Sequence, residues 1–285
     1  MTDSKSEELL EQEVDLGRRG KFLLLVGVLI GFVSSMCGIG GGLFAVPLLH
    51  FGFHVHLRRA VATGLCLVFA TTLASTLTEI SSGLFGDGSM INWPLVGCLA
   101  VGALGGTQLG YPVSKRFDTR QLRGVFSIVI AVVAIRILTS GESVGHIASE
   151  ASLGNYMYAI GAGFLGGFVS PILGIGGGLV MVPALLLGPS ALGFAGARAC
   201  ALAAAVVTSG RSLSLYWKER TLHTKAAPLL GGGAFLGAIA GVNAVHLDGV
   251  VDIARGMLGF ILLFVSVRFA VAWWRTRPSR SRDEL

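Results

Sequence analysis

Residues 31–49 read Gly31-Phe-Val-Ser-Ser-Met-Cys-Gly-Ile-Gly-Gly-Gly-Leu-Phe-Ala-Val-Pro-Leu-Leu49, and residues 167–185 read Gly167-Phe-Val-Ser-Pro-Ile-Leu-Gly-Ile-Gly-Gly-Gly-Leu-Val-Met-Val-Pro-Ala-Leu185. The offset is 136, and 13 of the 19 positions are identical. Each copy follows an apolar segment and interrupts it first with glycine, then with proline. Hydrophobic segments broken at matching places in two halves point to the substrate site of a transporter.

The surroundings fit a membrane protein. Apolar residues make up 53% of the 285-residue chain and charged residues only 13%, against about 25% charged in a soluble domain. Mean hydropathy is +0.73. Apolar segments fall near 21–37, 43–53, 60–80, 93–111, 122–139, 155–173, 179–190, 198–216, 226–246 and 254–274. Most approach the roughly 20 residues needed to cross a bilayer as helix. Segments 43–53 and 179–190 are shorter, and each forms a hairpin with the segment before it. A hairpin returns the chain to its starting side. With three ordinary spans added, each half crosses an odd number of times, which inverts the second half relative to the first. The expected fold is an all-α polytopic membrane protein of two inverted-topology repeats, 21–139 and 155–274. Each repeat is a glycine-broken helical hairpin plus three transmembrane helices.

Basic residues give an independent topology. Arg18, Arg19 and Lys21, Arg58 and Arg59, Lys115, Arg116 and Arg120, Lys218, Arg220 and Lys225, and the tail arginines from Arg275 mark alternate connections. Residues 82–92, 140–154 and 247–253 carry no Lys or Arg. Positive charge marks cytoplasmic loops. The N-terminal segment 1–20 and the tail 275–285 are therefore expected inside, and the connection 140–154 outside. Arg59-Ala60 is echoed by Arg198-Ala199, and Arg123-Gly124 by Arg255-Gly256. The net charge of +6 is spread in short clusters between apolar blocks, so nucleic acid is not an expected partner. The lipid bilayer is.

The chemistry concentrates at the repeated motif. Gly38, Gly40, Gly41 and Gly42, with Gly174, Gly176, Gly177 and Gly178, permit positive φ and close approach of a ligand to backbone. The short helices that follow begin with unpaired N–H groups and a positive dipole end, which suits a small anion. Pro47 and Pro183 are expected near their first turns, where little is lost. Ser34 and Ser170 precede the glycine runs by four residues and could donate to the same anion, or bond a carbonyl of their own helix. Inverted symmetry would bring the two tips together to hold one anion between them.

Other intramembrane polar groups are candidates because they are costly there. Glu79 is the carboxylate placed inside a span; it could carry a coupling proton or form a salt bridge. Gln108 and Asn243 read as pathway lining or interhelical hydrogen bonding, and Thr71, Thr72, Thr208 and Ser209 as small polar patches. Cys37, Cys66, Cys98 and Cys200 lack metal-ligand spacing and read as packing residues. His50, His54 and His56 read as interfacial. No P-loop, cofactor fingerprint or nucleophile–base pair is present, so neither ATP-driven transport by this chain nor catalysis is expected.

The paired Gly-Phe-x-Ser-x-x-x-Gly-Ile-Gly-Gly-Gly-x-x-x-Val-Pro motifs resemble those of the sulfite exporter TauE/SafE family, also called TSUP, over residues 21–275. That resemblance implies a bacterial-type inner-membrane carrier for a small sulfur-containing or organic anion, such as sulfite, a sulfonate or thiosulfate, coupled to an ion gradient. It carries over to Ser34, Gly38, Gly40, Gly41, Gly42 and Pro47, and to Ser170, Gly174, Gly176, Gly177, Gly178 and Pro183. Pro171 stands where the first copy has Ser35, so the halves need not contact substrate equally. An anion channel and a non-transporting membrane subunit remain the alternatives. Substrate, direction, coupling stoichiometry and oligomeric state stay open.

Overall fold

In lipid a chain must satisfy its backbone groups within each segment, and helix does so. The computed structural model describes residues 20–53, 55–85, 90–116, 131, 134–135, 153–188, 192–219, 226–247 and 249–275. The segment 1–20, the span 122–139, the connection 140–154 and the tail 275–285 lie wholly or largely outside the described residues. So do His54 and the Arg123-Gly124 echo.

The helices are α1 (Gly20–Cys37), α2 (Gly42–Pro47, followed by a π-helical turn Leu48–Gly52), α3 (Leu57–Phe85), α4 (Trp93–Arg116), α5 (Leu153–Leu173), α6 (Gly178–Leu187), α7 (Phe194–Lys218), α8 (Ala226–Val245) and α9 (Val250–Arg275). No strand occurs among the described residues. Six of the helices are long and apolar enough to cross a membrane: α1, α3, α5, α7, α8 and α9. Large apolar side chains such as Phe22, Leu29, Leu109, Leu165, Leu236 and Phe260 face outward, which suits lipid and not water.

The two most extensive packing seams cross between the halves: α1 lies along α8, and α5 along α4. Small residues make both possible. A methyl group built on Gly27 would come within 2.6 Å of Leu230 O, and one on Gly237 within 2.9 Å of Phe32 N. In the other seam, Gly106 faces Phe164 and Phe168, and Gly163 faces Leu99. Helices this close exclude any side chain larger than hydrogen at the contact, as in small-xxx-small membrane packing.

The register fixes helix directions. Gly27 meets Leu230 while Phe32 meets Gly241, and Leu99 meets Gly163 while Ala103 meets Gly167. Both seams are therefore parallel. Gly231 approaches Cys66 and Ala70, and Glu79 reaches His246, so α8 also runs with α3. In contrast, Glu219 at the end of α7 binds Lys115 near the end of α4 and Arg58 at the start of α3, the latter at 2.8 Å. Helices α1, α3 and α8 thus run one way, and α4, α5 and α7 the other.

The Arg58–Glu219–Lys115 cluster gathers three of the ends that the charge pattern assigns to one side. The Lys115 hydrogen bond, helped by Tyr111 and Arg58, holds the Glu219 carboxyl below the usual carboxylate range. A depressed carboxylate stabilises the fold above its unfolded pKa of about 4 and loses that contribution as pH falls through the lower folded value. Glu219→Gln is expected to cost about 1 kcal/mol or less at neutral pH and to flatten the acid side of a stability–pH profile. Thermal melts at several pH values check this.

Candidate functional site

The two glycine runs are the turns that end α1 and α5. Ile39 N–H donates to Ser34 O at 3.0 Å across Gly38 at φ 77°, the six-to-one bond of a Schellman cap. Gly174, at φ 73°, donates its own N–H to Ser170 O at 2.8 Å, the simpler left-handed cap. Gly40, Gly41, Gly176 and Gly177 follow with φ between 72° and 91°, a region costly for other residues. Gly41 O accepts from the N–H groups of Phe44 and Ala45 at 3.1 Å, and Gly177 O from Val180 and Met181 at 3.0 Å, which starts α2 and α6. No backbone bond among the described residues takes up the N–H groups of Gly42, Leu43, Gly178 or Leu179.

Gly42 and Gly178 have ordinary φ and are glycine for another reason. A methyl group on Gly42 would overlap Gly174 O and lie 2.8 Å from Ile175 Cα. One on Gly178 would lie 2.5 Å from Gly38 O. The two tips cross backbone to backbone, each placing a carbonyl against the other's Cα. They meet at mid-length of α3, where Val68 packs against Gly40, Gly42 and Gly176. Ile39 and Ile175, the residues inside each Gly-Ile-Gly, are buried.

The prolines stand later than their sequence position suggested. Each is the sixth residue of its helix, so the carbonyls of Leu43 and Leu179 lose the donor that would follow four residues on. After Pro47 the chain loosens into the π turn 48–52, whereas α6 continues through Pro183 to Leu187. Pro171 inside α5 is compensated from outside. Gly167 O, deprived of its usual N–H, accepts from Thr107 Oγ1 at 3.3 Å, and Tyr216 OH donates to Pro171 O at 2.8 Å.

The two serines have different surroundings. Both are fully buried. Ser34 Oγ lies 3.2 Å from where a Gly41 methyl would sit, and it has no hydrogen-bond partner. Ser170 Oγ is bonded to Ser212 Oγ at 3.1 Å. Ser170→Ala would strand the Ser212 hydroxyl in the interior, an expected loss of about 1–3 kcal/mol that Ser170→Ala/Ser212→Ala should recover in part. Unfolding of the single and double variants checks it.

Glu79 is buried and forms an ion pair with Arg198 Nη2. Its second oxygen lies 3.4 Å from His246 Nε2. Arg198, also fully buried, donates through Nη1 to Ser35 O at 3.1 Å. The Arg198 Cγ and Cα lie 3.0 and 3.5 Å from where a Gly38 methyl would be. The matching neighbour of Gly174 is Val61, so the sequence echo of Arg59 in Arg198 is two residues out of spatial step. Arg198 is the residue that the motif reading missed as a site group. Its signal was a lone cation among outer connections otherwise lacking Lys and Arg.

The remaining candidates separate cleanly. Thr71, Thr72, Thr208 and Ser209 are buried and donate to carbonyls one turn back; Thr72 also touches the Gly40 side of the first tip. Gln108 and Asn243 are exposed. The four cysteines are unpaired with one another, and His50 Nδ1 bonds Val55 O at 3.0 Å. Among the described residues no group of three His, Cys, Asp or Glu could hold a metal.

Crossed, glycine-broken hairpins inside a bundle of apolar helices define an all-α polytopic membrane protein with a discontinuous-helix core. The family model of the sulfite exporter TauE/SafE proteins matches residues 5–137 and 159–284, and the chain belongs to that family. Its relatives include three named as probable membrane transporter proteins. That of Methanocaldococcus jannaschii is 28% identical over 58% of this chain and 61% of its own length. YunE of Bacillus subtilis is 27% identical over 58% of this chain and 66% of its own. The match to a Xylella fastidiosa protein is 26% identical over 85% of this chain and 91% of that protein. The chain thus spans less than two thirds of the first two. No solved structure matches it.

Proposed function

We propose that the protein is a secondary transporter that carries a small sulfur-containing or organic anion across a bacterial-type inner membrane by alternating access. The observation that carries this reading is the crossing of two glycine tips brought in by oppositely running helices α1 and α5. Two hairpins that approach one point from opposite sides give a fixed site two possible openings, and rocking one half against the other exposes each in turn. The reading takes the halves as inverted repeats, 21–139 and 155–274, with basic connections and both termini cytoplasmic. Ser34, Gly38, Gly40 to Gly42, Ser170, Gly174 and Gly176 to Gly178 form the substrate region, with Glu79 as the group available for proton coupling.

The unpaired N–H groups at Gly42, Leu43, Gly178 and Leu179 support an anion over a cation. The family membership and the names of the relatives support transport over a purely structural role. Thermal stabilisation of the purified protein across sulfite, thiosulfate, sulfate, sulfoacetate, taurine and simple carboxylates tests the reading. A ligand that binds only the folded state raises the melting temperature with its saturation. A selective rise with one sulfur anion is expected; no rise with any of them at millimolar concentration would contradict it.

A further inference from the structure

Among the described residues only three buried side-chain polar atoms lack a hydrogen-bond partner: Ser34 Oγ, Ser75 Oγ and Arg198 Nε. Two of them border the first tip, and the third shares a face of α3 with residues that do. Ser34 Oγ touches Gly41, and Arg198 lies against Gly38. Ser75 stands on α3 three residues after Thr72, which touches Gly40, and one turn before Glu79. The second tip differs in its polar side chains, which are engaged in the Ser170–Ser212 and Tyr216–Pro171 bonds. Buried donors without acceptors are rare enough that each needs a reason, and here one reason covers all three.

The contact point of the two tips is the part of the substrate region least suited to an anion. Carbonyl oxygens of Gly38 and Gly174 occupy it from both sides, and their negative ends would repel one. The flank of the first tip offers the opposite polarity. We propose that Arg198, with the hydroxyls of Ser34 and Ser75, forms the anion-binding site on that flank, and that Glu79 holds Arg198 while the site is empty. The proposal rests on the anion-carrier reading and specifies its site.

Packing does not explain Arg198. At the second tip Val61 makes the corresponding contact with Gly174, so an apolar residue suffices to support such a turn. A buried guanidinium is costly unless its charge is needed. Its only ion-pair partner among the described residues is Glu79. A monoanion that takes Arg198 must displace Glu79, whose carboxylate then needs a proton to remain buried. His246 provides the route: its Nε2 lies beside Glu79 Oε2, and its side chain is 31% exposed. One proton moves from solvent through His246 to Glu79 as one anion binds Arg198, and the net charge of the site is unchanged. The other titratable groups facing this pair are Cys37, at the end of α1 beside Arg198, and Cys200, on α7 beside Glu79.

Equilibrium binding of sulfite, thiosulfate and methanesulfonate to the full-length protein in nanodiscs tests the assignment; methanesulfonate keeps one charge throughout the pH series. The parent should bind methanesulfonate more tightly as pH falls, by up to about tenfold per pH unit, because one proton is taken up with each anion bound. Glu79→Gln frees Arg198 and should bind about tenfold more tightly with the pH dependence lost, while Glu79→Gln/Arg198→Gln, neutral throughout, should lose about tenfold or more relative to the parent. If Glu79→Gln is poorly stable alone, these anions should raise its melting temperature more than the parent's. Binding to the double variant equal to the parent's, or no gain and no anion rescue in Glu79→Gln, overturns the assignment while leaving the carrier reading in place. Failure of the parent and of Glu79→Gln to bind any of the three probes removes both.

Discussion

Gly42→Ala is expected to disable the protein outright, although it adds a single methyl group. The atoms it would strike, Gly174 O and Ile175 Cα, are backbone of the opposing tip. No rotamer change relieves the overlap; one hairpin must move off the other. Overpacking in a close-packed interior costs about 1–3 kcal/mol when side chains can adjust, and here only backbone can. A loss above that range is expected, with transport abolished. Gly178→Ala should act the same way through Gly38 O. Gly161, on α5, has nothing within 4 Å of an added methyl, and Gly161→Ala should be neutral or stabilise by about 0.5–1 kcal/mol. Thermal inactivation of the three variants in one detergent separates a crossing contact from general sensitivity to lost glycine. Equal losses in all three would contradict the crossing.

The second large effect concerns the buried pair. Removing one partner leaves a charge without its counterion, so Arg198→Met and Glu79→Leu should each destabilise by about 3–5 kcal/mol. The double variant should recover most of that, because an apolar pair of similar volume has no stranded charge. A coupling energy of about 2 kcal/mol or more is expected from the double-mutant cycle, since the groups are in contact. Near-additive losses would show that Arg198 and Glu79 do not stabilise one another. The same double variant should transport no anion even where it is stable, which separates the role of the pair in folding from its role at the site.

Much of the architecture was legible because lipid forces it. Long apolar blocks had to become helices, and the repeated Gly-Ile-Gly-Gly-Gly marked both breaks at their correct residues. Less legible was why each glycine is there. Positive φ at Gly38, Gly40 and Gly41, and backbone crossing at Gly42, leave the same letter in the sequence. Pro47 and Pro183 looked like first-turn residues because the helix starts are set by the left-handed caps at Gly41 and Gly177, which a hydropathy pattern does not locate. Ser34 and Ser170 each follow Gly-Phe-Val and stand four residues before a glycine run, yet Ser212 engages one and nothing engages the other. That difference comes from α7, 42 residues away along the chain. Arg198 was read only as the repeat echo of Arg59, because its contact with Glu79 joins residues 119 apart in the chain.

Counterflow in proteoliposomes tests the central claim most directly. The protein is reconstituted, loaded inside with unlabelled sulfite or thiosulfate, and offered the labelled anion outside. A carrier that alternates about the crossed tips predicts saturable uptake, stimulated by the internal anion and absent in Gly42→Ala and in Glu79→Gln/Arg198→Gln. Uptake that rises without saturation and ignores the internal anion would contradict alternating access and point to a channel. Absence of uptake for every anion in the panel would leave the glycine tips as packing alone.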